Sequence, residues 1–187
     1  NGIINVSGTA NIGMRVDKGV VPTGASGTPE AINNGTINVS GSATKAKDGN
    51  IGMVAHNQAK AINNKHITFA NETKYGTGLL AKGTGAKVEN RGNNAKITGS
   101  KLERTIGMSA LQGTTGLNSG TIDLSGKRVT GVYNEGTFNM TDGLLKAAGE
   151  QSISLYSKGS SSITNITGGK IVAGKKAVGL YADSSTI

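Results

Sequence analysis

The chain of 187 residues has no cysteine and no tryptophan, only two prolines, and only 3% aromatic residues. Without cysteine there is neither a disulfide framework nor a thiolate site, and the redox compartment stays open. So few aromatics argue against an ordinary packed globule. No apolar run approaches the roughly 20 residues needed to span a bilayer. The opening Asn1-Gly2-Ile3 also lacks the basic and apolar pattern of an export signal. The expectation is a segment of a longer surface protein, with any signal or anchor lying outside it. What the chain does have is glycine, 30 residues of it, set among Ser, Thr and Asn. That composition accompanies disorder when apolar residues are diluted at random. Here they recur at fixed positions, so order is expected.

Two motifs alternate along the chain. The first reads Ile12-Gly13-Met14-Arg15-Val16 and returns at Ile51-Gly52-Met53, Thr77-Gly78-Leu79, Ile106-Gly107-Met108, Thr130-Gly131-Val132, Ile153-Ser154-Leu155 and Val178-Gly179-Leu180. The second is clearest as Asn33-Asn34-Gly35-Thr36-Ile37-Asn38-Val39. It returns as Asn118-Ser119-Gly120-Thr121-Ile122-Asp123-Leu124 and as Asn134-Glu135-Gly136-Thr137-Phe138-Asn139-Met140, with fainter copies at Ile62 to Phe69, Val88 to Gly99 and Ile163 to Gly174. Successive first motifs are separated by 39, 26, 29, 24, 23 and 25 residues. A period of this size marks a solenoid of about seven coils.

Within each unit apolar residues alternate: Ile12, Met14 and Val16 are expected on one face, Gly13 and Arg15 on the other. These are short strands separated by Gly, Asn and Ser turns, with no helical periodicity. One such unit cannot bury its own apolar face, so copies must stack as parallel strands about 4.8 Å apart. The fold class is therefore all-β, a right-handed parallel β-helix (β-solenoid) over residues 1–187, about 35 Å long at that spacing. Two core columns are predicted. One contains Met14, Met53, Leu79, Met108, Val132, Leu155 and Leu180; the other contains Ile4, Ile37, Ile67, Ile97, Ile122, Phe138 and Ile171. The four methionines, Met140 included, read as core fillers. Asn33, Asn63, Asn118 and Asn134 are expected to form a side-chain amide ladder.

The alternation of GLYADSSTI, SLYSKGSSSITN and NNGTINVSG resembles the passenger repeats of large fusobacterial type Va autotransporter adhesins, the RadD-like family. The resemblance covers nearly the whole chain, and its motif is the scaffold itself, so it carries over no binding residue. It implies a β-helix displayed at the cell surface or outer membrane of a Gram-negative bacterium, or secreted. Contact with the membrane would come only through a C-terminal barrel that this chain does not include. It further implies attachment to host cells or coaggregation with other bacteria, through a protein or glycan receptor.

Departures from the repeat are the natural place for recognition. The 39-residue interval contains the excursion 18–30, KGVVPTGASGTPE, which holds both prolines. Its candidate partner-binding residues are Lys18, Val20, Val21, Pro22, Thr23, Pro29 and Glu30. Smaller excursions at Ala70 to Tyr75 and Ser100 to Thr105 contribute Lys74, Tyr75, Lys101 and Arg104. Near Gly131, Val132 and Tyr133 serve both motifs at once, which shortens that coil and suggests a local kink.

Charge is uneven. Eleven of the basic residues fall between Lys45 and Arg104 against Asp48, Glu72, Glu89 and Glu103, which places +7 of the chain's +9 in a third of its length. Gathered on one side, they would steer the segment toward acidic glycans, anionic cell surfaces or an acidic partner protein; as outward solvated positions, they keep sheet surfaces and edges from pairing. Nucleic acid is not expected as a partner, because no aromatics interleave with the basic residues. Self-association through rows of charged side chains is a further reading, and a rigid shaft carrying recognition elsewhere is another.

An enzyme of the polysaccharide-active β-helix kind is the distant alternative, since fold alone does not decide function. Glycoside hydrolysis needs two convergent carboxylates, and a lyase of this fold needs an acidic calcium cluster. The acids here are scattered singly, and His56 and His66 lack a metal-ligand spacing or a third partner. No catalytic residue, metal or cofactor is expected. The Asn-x-Ser/Thr triplets, such as Asn5-Val6-Ser7, are by-products of the repeat.

Overall fold

A computed structural model shows a three-walled parallel β-solenoid and describes residues 2–19 and 27–187. Its first three coils are β1 (Ile3–Val6), β2 (Ile12–Asp17) and β3 (Glu30–Asn33); β4 (Thr36–Val39), β5 (Ile51–His56) and β6 (Lys60–Asn63); and β7 (His66–Phe69), β8 (Thr77–Lys82) and β9 (Lys87–Asn90). The next three are β10 (Lys96–Glu103), β11 (Ile106–Ala110) and β12 (Thr115–Asn118); β13 (Thr121–Lys127), β14 (Thr130–Asn134) and β15 (Thr137–Met140); and β16 (Leu144–Ala148), β17 (Ser152–Lys158) and β18 (Ile163–Ile166). β19 (Lys170–Ala173) and β20 (Ala177–Asp183) begin another turn. There are thus about six coils of about 26 residues rather than seven, because the seventh motif copy has two strands without a third. Helix among the described residues is confined to a single 3-10 turn, Ala46–Asp48.

Equivalent strands stack in parallel as three sheets: A from β1 to β19, B from β2 to β20 and C from β3 to β18. The first predicted column is realised in register, Met14, Met53, Leu79, Met108, Val132, Leu155 and Leu180 lying one above the other in sheet B. In the second column Leu145, not Phe138, stands between Ile122 and Ile171. Phe138 is buried in sheet C, between Gly116 and Thr164. The reason is that one turn motif serves two corners. Asn33-Asn34-Gly35 and Asn118-Ser119-Gly120 lead from sheet C to sheet A, whereas Asn134-Glu135-Gly136 leads from sheet B to sheet C. That two-residue link also shortens the coil at Gly131, and no kink results: β14 keeps continuous register with β11 and β17.

The first motif also faces differently from simple alternation. Pairing passes directly from Ile12/Ile51 to Met14/Met53, and it is the intervening glycine that turns inward while Ile12 faces solvent. A Cβ at Gly78 would lie 2.5 Å from the carbonyl of Gly107 on the next coil and 2.9 Å from Ile97 across the core. No side chain fits there without displacing backbone. At the one departure, buried Ser154 donates its hydroxyl to the Val172 carbonyl (2.7 Å) and accepts from the Ala147 amide (2.9 Å).

The interior is a narrow, mainly aliphatic column that also takes in Phe69 and Phe138, with Met53, Met108 and Met140 fully buried and Met14 half-buried. At the corner between sheets C and A an amide ladder climbs four coils. Asn33 donates to Asn63 (2.7 Å), Asn63 to Asn90 (2.9 Å) and Asn90 to Asn118 (2.9 Å). Each amide also donates to a carbonyl of the following turn, for example Asn90 to Thr121 at 3.2 Å. Buried turn backbone is thereby satisfied from inside the core. Asn90 completes the ladder in place of Asn134, which instead serves the corner between B and C: its amide donates to the Ile163 carbonyl (2.9 Å) and its carbonyl accepts from the Gly136 amide (3.1 Å).

Candidate interaction surface

The predicted site residues divide between two edges of the solenoid. Lys18, Pro29 and Glu30 lie where sheet B passes to sheet C; Val20, Val21, Pro22 and Thr23 fall outside the described residues. Lys18 reaches Gln58 Oε1 at 2.8 Å, Pro29 accepts from the Lys60 amide, and Glu30 faces Lys60, which also pairs with Glu89 at 3.1 Å. Lys74, Tyr75, Lys101 and Arg104 come together on the edge between sheets A and B. Segments 70–75 and 100–105 are not projecting loops there. Residues 100–103 continue β10 and residues 70–75 form a turn stacked against it; Thr73 and Thr105 are buried, and Lys74 bridges in parallel to Ser42 and Glu103.

On this A–B edge the chain turns the same way in successive coils. Two positions before the sheet-B register residue, Tyr75, Arg104, Arg128, Gln151 and Lys176 all have φ between 50° and 57°. A left-handed residue here turns the following side chain inward, as in buried Thr105, Val129 and Ser152, and leaves two consecutive side chains directed outward. The edge therefore carries more outward side chains than a flat strand, which directs only every second one to a given face. From Ile51 onward, the outward neighbours three positions before the register residues are Asp48, Lys74, Glu103, Lys127, Glu150 and Lys175, alternating in sign from coil to coil. Lys74 pairs with Glu103 at 3.1 Å and Lys127 with Glu150 at 3.5 Å. The Lys74 ammonium, followed by the charges of Arg104 and Lys127, holds the Glu103 carboxyl below its usual range. The left-handed column in front of this ladder has no acid of its own. Arg104 lies over the Tyr75 ring, 5.4 Å from its centroid, and donates to the Tyr75 hydroxyl; Arg128 donates to Gln151 at 2.7 Å.

The basic residues of the middle third do not gather on one side: they are distributed over all three edges, five of the eleven on the A–B edge. The concentration lies instead along the solenoid axis. From Lys45 to Lys176 the A–B edge carries nine Lys or Arg against Asp48, Glu72, Glu103 and Glu150, a net +5 of the chain's +9. This axial pattern was legible as charge alternation at a constant offset from the motif in its second to seventh copies, a signal that a count along linear sequence misses.

Beside this edge, on the outer face of sheet A, runs a cleft of about 490 Å³. Its floor is the stacked column Thr68, Thr98, Asp123 and Lys146, and Asn71 and Ser100 form part of its wall. The Ser100 hydroxyl bonds Asn71 at 2.9 Å, and the wall rises where the register between β10 and β13 breaks after Gly99. Lys146 pairs with Asp123 at 3.2 Å.

Two further acids are held by neighbours. Asp17 receives Arg15 (3.0 Å) and lies 3.2 Å from His56 Nδ1, and the Arg15 hydrogen bond foremost keeps its carboxyl below the ordinary range. Glu135 accepts from Tyr133 at 2.5 Å; burial first, and then that carboxylate, push the phenol far above its usual value. His66 is exposed at the start of β7, and His56 is half-buried at the end of β5. No group of three metal-ligating side chains occurs, and no helix is long and apolar enough to cross a membrane, among the described residues.

A family model described as the BigA third pectate lyase-like domain matches residues 1–119, well over half of the chain. No curated protein and no solved structure matches it. The match covers the first coils that the repeat motifs define and is consistent with a passenger repeat of a bacterial autotransporter-like adhesin; it does not single out the RadD-like family.

Proposed function

The chain belongs to the BigA third pectate lyase-like domain family, and from that premise we propose that it is a non-catalytic, surface-displayed adhesin segment. In this reading it is part of an autotransporter-like passenger that attaches to host cells or to other bacteria. The observation that supports it best is the A–B edge, where coil after coil presents two outward side chains on a rigid scaffold. Recognition built on stacked strands is held more precisely than on free loops. The disposition of acids supports the non-catalytic part: Asp17, Glu30, Asp48, Glu89, Glu103, Asp123 and Glu150 each face a basic neighbour. Glycoside hydrolysis calls for two carboxylates converging on one bond.

The test is saturable binding of the labelled, purified chain to a panel of intact bacterial and mammalian cells at physiological salt. Saturable binding to one cell type is expected. No binding to any of them would overturn the adhesin reading in favour of a shaft whose recognition lies elsewhere in its parent.

A second reading, self-association, is favoured by one observation. The ladder Asp48, Lys74, Glu103, Lys127, Glu150, Lys175 reads as its own complement when reversed, so an antiparallel second copy would place an opposite charge against every member. Sedimentation velocity separates it: dimerisation that rises with concentration and disappears at high salt supports pairing, and a monomer at all concentrations removes it.

A further inference from the structure

We propose that the A–B edge binds a linear acidic polysaccharide laid along the solenoid axis. Its carboxylate or sulfate groups meet Arg104, Arg128 and Lys176, and its hydroxyls meet the neighbouring cleft on sheet A. The proposal rests on the adhesin reading and names the ligand class for it.

Three observations converge. The alternating ladder is largely neutralised by its own pairs, so the left-handed column in front of it presents three cations with one long ion pair among them, Arg104 to Glu103. Of the three cations, Arg104 has only Glu103 nearby, at 3.9 Å, while the ring of Tyr75 and the amide of Gln151 orient the two guanidinium groups. A guanidinium so held loses little freedom when it forks onto a carboxylate or sulfate. Second, Arg104 and Arg128 stand one coil apart, about 4.8 Å, and Lys176 stands two coils beyond Arg128 with Gln151 between; one coil is close to the advance of one sugar in an extended chain, so the acidic groups of a linear chain keep in step with the three cations. Third, the cleft follows the same axis over four coils and offers hydroxyl, amide, carboxylate and ammonium groups from Thr68, Thr98, Asn71, Ser100, Asp123 and Lys146. Such a set hydrogen-bonds sugar hydroxyls. A single-stranded nucleic acid would need exposed aromatic faces for its bases, and Tyr75 on this edge is covered by Arg104; duplex DNA is left to the binding test. A membrane would need a broad basic face, whereas this edge is a narrow ridge.

The test compares two triple variants of equal net charge, Arg104→Gln/Arg128→Gln/Lys176→Gln on the A–B edge and Lys65→Gln/Arg91→Gln/Lys96→Gln at the C–A corner. Gln151 already occupies the left-handed column, so glutamine is compatible with the backbone there. Binding to immobilised heparin and to polygalacturonate is measured, with neutral dextran and duplex DNA as controls. The A–B variant is expected to lose about tenfold or more in affinity and the C–A variant little. Heparin alone marks a sulfated ligand and polygalacturonate a carboxylated one, and either supports the proposal. Equal losses in both variants, DNA bound as tightly as either polysaccharide, or binding to neither would overturn it. A measurement on the unaltered chain guards against misfolding: heparin should protect Arg104 and Arg128, but not Arg15 or Arg91, from phenylglyoxal. If the chain binds cells and neither polysaccharide competes, this inference falls and the adhesin reading stands. If it binds polysaccharide and no cell, the adhesin reading falls by itself.

Discussion

The C–A and A–B corners solve the same problem, a chain that must turn once per coil, with opposite chemistry. At the C–A corner four asparagines are buried and pass hydrogen bonds from coil to coil. At the A–B corner the stacked side chains face solvent, alternate in charge and sit beside a row of left-handed cationic residues. Buried amides are neutral and must be fully satisfied, so that corner has little freedom to vary. Exposed charges contribute weakly to stability and reach far into solvent. One corner holds the solenoid together, and the other is free to address a partner.

The largest effect expected from breaking this contrast is at Asn90. Asn90→Ala removes the acceptor for Asn63 and the donor to Asn118, both fully buried, and leaves a small cavity. A loss of about 3 kcal/mol is expected, read as a lower urea midpoint with little change in slope. Because the groups are neutral, that loss should be the same at low and high salt. A salt-dependent loss would mean that the ladder is not the source of the stability.

The opposite behaviour is expected on the exposed corner. Glu103→Lys sets three like charges in a row with Lys74 and Lys127. Its shift in urea midpoint should be at most about a third of that of Asn90→Ala, because exposed ion pairs contribute little, and it should fade as salt is raised. A shift as large as that of Asn90→Ala, and indifferent to salt, would erase the distinction between the corners.

How much of this contrast is legible in sequence depends on which residues carry it. The sheet-B column could be written down in full because Ile-Gly-Met and its variants mark one position in each coil without ambiguity. The sheet-A column failed only at Phe138, since Asn-x-Gly-Thr is a generic tight turn and nothing local says which corner it builds. Asn90 escaped notice for the complementary reason: it is followed by Arg91-Gly92-Asn93-Asn94-Ala95, a longer link than Asn-x-Gly-Thr, yet its side chain fills the same place. The charge ladder was written in the sequence at a fixed offset from the motif in its second to seventh copies. Its meaning as an edge needed the left-handed turn that directs two neighbouring side chains outward, which a pattern of strands does not reveal. Around the solenoid, the distribution of Lys and Arg over three edges followed from the coil geometry and not from the charge count.

The finest test of the comparison is pH. Glu103 has its folded pKa depressed, chiefly by the Lys74 hydrogen bond and charge, relative to an unfolded value near the ordinary carboxylate one of about 4.3. A depressed acid contributes stability that is fully present above the unfolded value and disappears as pH falls through the folded one. Glu103→Gln keeps shape and hydrogen-bonding capacity and removes the titration. The gap in urea midpoint between the unaltered chain and this variant should therefore be small and constant above about pH 5, and close as the carboxylate protonates in the acid range. The gap between the unaltered chain and Asn90→Ala should not move over the same range, because an amide does not titrate. If the Glu103→Gln gap instead persists unchanged at acid pH, the contribution of Glu103 is one of packing, and the exposed corner is not the electrostatic surface that the polysaccharide proposal requires.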